Sequence, residues 1–157
     1  MKKQPATEKS VKSSVNLLSV SPAAEDHVSL ERIVAEPEWA NYSGAKWTLH
    51  WSATLGSALT VLRQCPVPIV ICERDLSGSS WKDLLRETAA MPDAPYVIVT
   101  SRLADHQLWG EALNLGAYDV LAKPFDVHEV IRIVSLAWIH WHERRAKVPA
   151  RTMTCVA

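Results

Sequence analysis

The sequence predicts an α/β protein built on a parallel sheet with helices on both faces, and three observations carry that expectation. Pro68 to Cys72 is an apolar run without polar alternation, as a strand covered on both sides requires. Tyr96 to Thr100 repeats the pattern. Around these runs, apolar residues recur at helical spacing, so strands and helices alternate along the chain. Ligand sites of such sheets lie beyond the carboxyl ends of the strands, which makes Glu73, directly after the first run, the first candidate for chemistry.

The chain has 157 residues, 48% of them apolar, which suits one domain with a sizeable core. Lysine plus arginine equal aspartate plus glutamate at 17 each, so no net field favours nucleic acid or an anionic membrane. Cys65, Cys72 and Cys155 are odd in number and lack metal-ligand spacing, from which reduced thiols and a cytoplasmic protein without zinc are expected. No stretch approaches the roughly 18 consecutive apolar residues of a membrane helix. Lys2 and Lys3 ahead of Val15 to Val20 loosely suggest a secretory leader, but that run serves equally as a first strand.

In chain order, residues 1–14 are polar and aperiodic and read as a flexible tail. Val15 to Val20 is the first strand; Ser21-Pro22 then opens a helix from about Ala23 to Ala35, with Val28, Ile33 and Val34 turned to the core. Pro37, Asn41, Ser43 and Gly44 mark residues 36–45 as a loop before an outer strand, Lys46 to Trp51. Leu55, Leu59 and Leu62 have helical spacing, and Pro66 and Pro68 end that helix before the central strand. The turn-prone residues Ser77 to Ser80 lead into a helix from Trp81 to Ala90. After the strand ending at Thr100, Asp105 starts a helix that Gly116 ends, Tyr118 to Ala122 forms the fifth strand, and Asp126 begins a helix reaching at least His142. The organisation expected is a domain over 15–142 and a tail over 143–157, too short for an output domain.

With the elements placed, the chain resembles the receiver domain of bacterial two-component response regulators over Val15 to His142. Glu73-Arg-Asp-Leu-Ser-Gly78, followed by Leu84-Leu85, falls where that family has its phosphoacceptor aspartate and the loop after it. Thr100 falls at the family's hydroxyl after the fourth strand. Gly116-Ala-Tyr-Asp-Val-Leu-Ala-Lys123-Pro-Phe125 matches its Gly-Ala…Lys-Pro-Phe signature. The resemblance implies a flavodoxin-like doubly wound five-stranded parallel sheet of order 2-1-3-4-5. It also implies Glu73 as the phosphoacceptor equivalent, with Thr100, Lys123 and Asp75 as the site and switch equivalents.

Three departures shape the expected function. The family holds Mg²⁺ on an acidic pair after its first strand, and this chain offers Ser19 and Val20 there; Glu25 and Asp26 are near in sequence but fall in the helix, so no metal is expected. Glu73 is one methylene longer than the family's aspartate, which displaces it from the in-line geometry of phosphoryl transfer. The aromatic of the fifth strand is replaced by Val120. The reading is therefore a degenerate, stand-alone pseudo-receiver without catalysis: a phosphorylation-independent interaction module in a two-component phosphorelay. Its expected partner is a protein, such as a histidine kinase or a second copy, with no nucleic acid, membrane or cofactor. The alternatives are a conventional phosphoaccepting receiver and a flavodoxin-like small-molecule binder or enzyme. No GxSxG elbow, P-loop or GxGxxG supports the last, and His140 and His142, two apart on a helix, make a poor metal pair. Trp109, Trp138 and Trp141 are the interface candidates, because the apolar stripe of the last helix is wider than one buried face needs.

Overall fold

Period-two alternation sorts the side chains of each apolar strand onto two faces, and both faces are covered. The computed structural model describes residues 14–147; residues 1–13 and 148–157, which make up most of the two expected tails, lie outside the described residues. The elements are β1 (Ser14–Val20), α1 (Ala24–Val34), α2 (Pro37–Ser43), β2 (Lys46–Ser52), α3 (Leu55–Gln64), β3 (Ile69–Glu73), β4 (Asp75–Leu76), β5 (Ser79–Ser80), α4 (Trp81–Ala89), β6 (Tyr96–Ser101), α5 (His106–Asn114), β7 (Asp119–Ala122) and α6 (Val127–Ala146). The main sheet is parallel in all its pairings, with order β2-β1-β3-β6-β7, the doubly wound order expected. Leu18, Val70, Cys72, Val97 and Val99 point to α3, α4 and α5, whereas Leu17, Ile69, Ile71, Ile98 and Leu121 point to α1, α2 and α6. Helix starts follow capping chemistry. Thr54 accepts from the Ser57 amide, Ser80 exchanges bonds with Asp83 across the first turn of α4, and Asp105 and Asp126 accept from Leu108 and Glu129.

Several expectations are corrected. Residues 37–43 are a helix and not a loop: Pro37 occupies the first turn, where its missing N–H costs nothing, and Gly44 at φ 62° caps the end. Residues read as breakers are the punctuation of a short helix. The turn after Glu73 is a small antiparallel hairpin, β4 with β5, reversed at Gly78 with φ 77°. The phase of α1 differs too: Val28 is exposed, and Leu30 and Ile33 carry the buried stripe. α6 reaches His142 as expected and runs on to Ala146. Cys72 is a free, buried thiol. Among the described residues no helix is long and apolar enough to cross a membrane.

Candidate functional site

The site follows from strand parity and register. Glu73 continues the Ile69–Ile71 face of β3, and Thr100 continues the Ile98 face of β6; the two residues are register partners. Their side chains therefore emerge side by side at the carboxyl end of the sheet. Lys123 follows Leu121 on the same face by the same count. Backbone bonds extend the ladder past the strand ends, with the Arg74 amide donating to the Thr100 carbonyl at 2.9 Å and the Lys123 amide to the Ser101 carbonyl at 3.0 Å. α1 covers this face and contributes Asp26, which lies one turn before Leu30 and two before Ile33.

The four side chains meet. Lys123 Nζ lies 2.5 Å from Glu73 Oε2 and 2.9 Å from Asp26 Oδ2, and the three side chains are only 11–15% exposed. The Thr100 hydroxyl donates to Glu73 Oε2 at 3.0 Å, and the Ser21 hydroxyl donates to Asp26 Oδ2 at 2.6 Å. Burial desolvates the ammonium and by itself lowers the Lys123 pKa. The bonds to Glu73 and Asp26 outweigh that and leave it above the usual lysine value.

The acidic-pair positions carry different chemistry. Val20 is core, and Ser19 is buried against His27, whose Nδ1 lies 2.8 Å from the Ser19 hydroxyl and whose Nε2 lies 2.9 Å from the Ser21 carbonyl. A carbonyl only accepts, so Nε2 carries hydrogen, and in the neutral ring Nδ1 accepts from Ser19. The imidazole stacks on Trp51 at 5.1 Å.

Not every expected site residue joins this cluster. Asp75 opens the hairpin with its side chain 83% exposed and lies 3.9 Å from Arg74, so it rims the cleft but does not enter the ion cluster. Trp141 is buried and donates to the Ala94 carbonyl, and Trp138 packs edge-on against Trp47; Ile133 is core as well, whereas Leu136 and Ile139 of α6 are exposed, and of the three expected interface tryptophans Trp109 alone is exposed. His140 bonds the Tyr118 hydroxyl, and His142 packs on Trp138. Asp26, discounted from the sequence as a helix acid, was nonetheless legible as a site residue: it shares the i, i+4, i+7 stripe of Leu30 and Ile33.

Cys72 precedes Glu73 in β3 and faces the opposite side of the sheet from the cluster. Burial, and then the charge of Glu73, push its thiol well above the ordinary cysteine range, so it carries no reactive thiolate. Iodoacetamide is expected to leave Cys72 unmodified in the folded protein and to label it after denaturation, as read by peptide mass mapping.

The geometry can be set beside known proteins. The signal receiver domain of an HD domain-containing protein from Pseudomonas fluorescens superposes with a TM-score of 0.72 at 25% identity, covering 85% of this chain and 93% of that one. The regulatory protein VirG of Agrobacterium tumefaciens is 30% identical over 77 residues, 49% of this chain and 29% of VirG. The transcriptional regulatory protein BaeR of Escherichia coli is 32% identical over 74 residues, 46% of this chain and 30% of BaeR. In fold and in these matched stretches the chain is similar to response-regulator receiver domains. It spans less than a third of the length of those curated relatives, and no protein-family model matches its sequence.

The fit of a magnesium ion to this site can be judged from the donors present. Mg²⁺ requires an octahedral oxygen shell at about 2 Å. Here one oxygen each of Asp26 and Glu73 is already bonded to a single ammonium, which carries the charge a metal would bring. Among the described residues no group of three His, Cys, Asp or Glu side chains could hold a metal. The side chains as arranged do not fit the ion.

Proposed function

We propose that this receiver works as a phosphorylation-independent interaction module in a two-component pathway, in the cytoplasm and without catalysis of its own. The observation that carries the reading is the Lys123 ammonium held between Glu73 and Asp26 while Thr100 bonds the same Glu73 oxygen. In a phosphoaccepting receiver the lysine and hydroxyl are kept for an incoming phosphoryl group; here a fixed carboxylate engages both. Glu73 brings one charge and two oxygens where a phosphoryl brings nearly two charges and three, so it holds the switch residues in a partial likeness of the modified state. Acetyl phosphate or beryllofluoride with Mg²⁺ is expected to leave intact mass and tryptophan fluorescence unchanged. A magnesium-dependent gain of one phosphoryl group at Glu73 or Asp75 would return the protein to the conventional class.

The partner on this reading is a protein, with a histidine kinase or a second copy as the first candidates. α5 supports that role: Trp109 and Leu113 are exposed one turn apart, and Leu115 follows at its end. Trp109→Glu is expected to reduce self-association or partner retention by at least tenfold while leaving the fold intact, since the ring is 47% exposed. Sedimentation velocity and circular dichroism check the two halves of that statement.

A further inference from the structure

We infer that Lys123 is the resident cation of this receiver: its ammonium fills the place between Asp26 and Glu73 that a hard divalent cation would otherwise take. The inference rests on the phosphorylation-independent reading and deepens it, because it moves the cause of metal indifference. Loss of acids at Ser19 and Val20 is not the whole reason. The site retains two carboxylates, with Asp26 supplied from α1 in place of a strand-end acid.

The donor set is made of oxygen alone. Asp26 Oδ2 and Glu73 Oε2 converge on one nitrogen at 2.9 and 2.5 Å, and each accepts from a hydroxyl, Ser21 at 2.6 Å and Thr100 at 3.0 Å. Carboxylate and hydroxyl oxygens are the ligands that Mg²⁺ and Mn²⁺ select. Two carboxylates with one ammonium leave the cluster net negative, so it still favours positive charge. The other cations at the cleft are engaged elsewhere, Arg102 with Glu25 at 3.7 Å and Arg74 with Asp75 at 3.9 Å. Lys123 is thus the cation that neutralises these acids, and its backbone bond to Ser101 fixes the base of its side chain.

If the ammonium is the occupant, removing its charge vacates a site. Lys123→Met leaves two carboxylates and two hydroxyls facing the space, and Lys123→Gln does so while keeping a hydrogen-bond donor to support the fold. Mn²⁺ binding followed by electron paramagnetic resonance, with Mg²⁺ competition, reads the result. Wild type is expected to bind no Mn²⁺ at millimolar concentration. Both neutral variants are expected to bind at least tenfold more tightly than wild type, and adding Asp26→Asn is expected to abolish the gain. Folded Lys123→Gln with no gain, or wild type binding as tightly as the variants, would overturn the inference. The two readings fail separately: a missing metal gain sinks the resident cation, whereas partner retention that requires a phosphodonor sinks the proposed function.

Discussion

Lys123→Met is expected to cost about 3 to 5 kcal/mol of folding stability, because it strands two largely buried carboxylates without their cation. An exposed pair would cost only about 0 to 1 kcal/mol, and the low exposure of these side chains decides between the two figures. Glu73→Gln and Asp26→Asn are each expected to cost less, since either leaves the lysine with its other partner. The informative quantity is the coupling. Lys123→Met combined with Glu73→Gln should be milder than the sum of the two single changes, because the second substitution removes a charge that the first left unpaired. Urea unfolding of the cycle measures it, and strict additivity would mean that Glu73 and Lys123 do not act together.

The same cluster sets an alkaline limit. The Lys123 pKa is raised on folding, the bonds to Glu73 and Asp26 outweighing the opposing effect of burial. Its contribution is therefore fully present below the unfolded lysine value of about 10.4 and is lost as pH rises through the folded value. Tyr118, raised by burial and by the charges of Asp119 and Tyr96, acts in the same direction. Unfolding midpoints should fall above about pH 10.5 in wild type and in Tyr118→Phe, and fall less in Lys123→Gln.

What the sequence revealed and hid turns on a few side chains. Glu73, Thr100 and Lys123 were legible because strand ends are marked by an abrupt change from apolar to polar, and parity then assigns their face. Asp26 was discounted because it lies in the helix and not at the strand end, and the phase given to α1 agreed with that. Taking Val28 as core rotates α1 and turns Asp26 towards water, whereas Leu30 and Ile33 place it over the sheet. An acid in the first turn of a helix also has an ordinary explanation in the helix dipole, which removes any pressure to look further. The wide stripe of α6 divides: Ile133 and Trp138 pack in the core cluster shared with β2 and α2, which a stripe count cannot see, while Leu136 and Ile139 remain exposed.

Trp39→Ala is expected to be the other large change, costing about 3 to 5 kcal/mol as a deleted buried aromatic does. Trp39 lies in the helix that composition disguised as a loop, yet it is 1% exposed and meets Trp47 of β2 edge-on at 5.3 Å. Trp47 in turn meets Trp138 of α6 at 6.0 Å, so three rings tie α2, the sheet edge and α6 into one body. Trp51→Ala is the matched control: that ring is 44% exposed and stacked on His27, so its loss should cost markedly less. A cost for Trp39→Ala below about 1 kcal/mol would mean that residues 37–43 behave as the loop their composition suggested. The aromatic stack shares no side chain with the Asp26–Lys123–Glu73 cluster, so Trp39→Ala and Lys123→Gln should add within about 0.5 kcal/mol. A larger interaction between them would show that the α2–α6 side of the domain is coupled to the charge cluster, and would make that side, in place of α5, the first surface to test for partner binding.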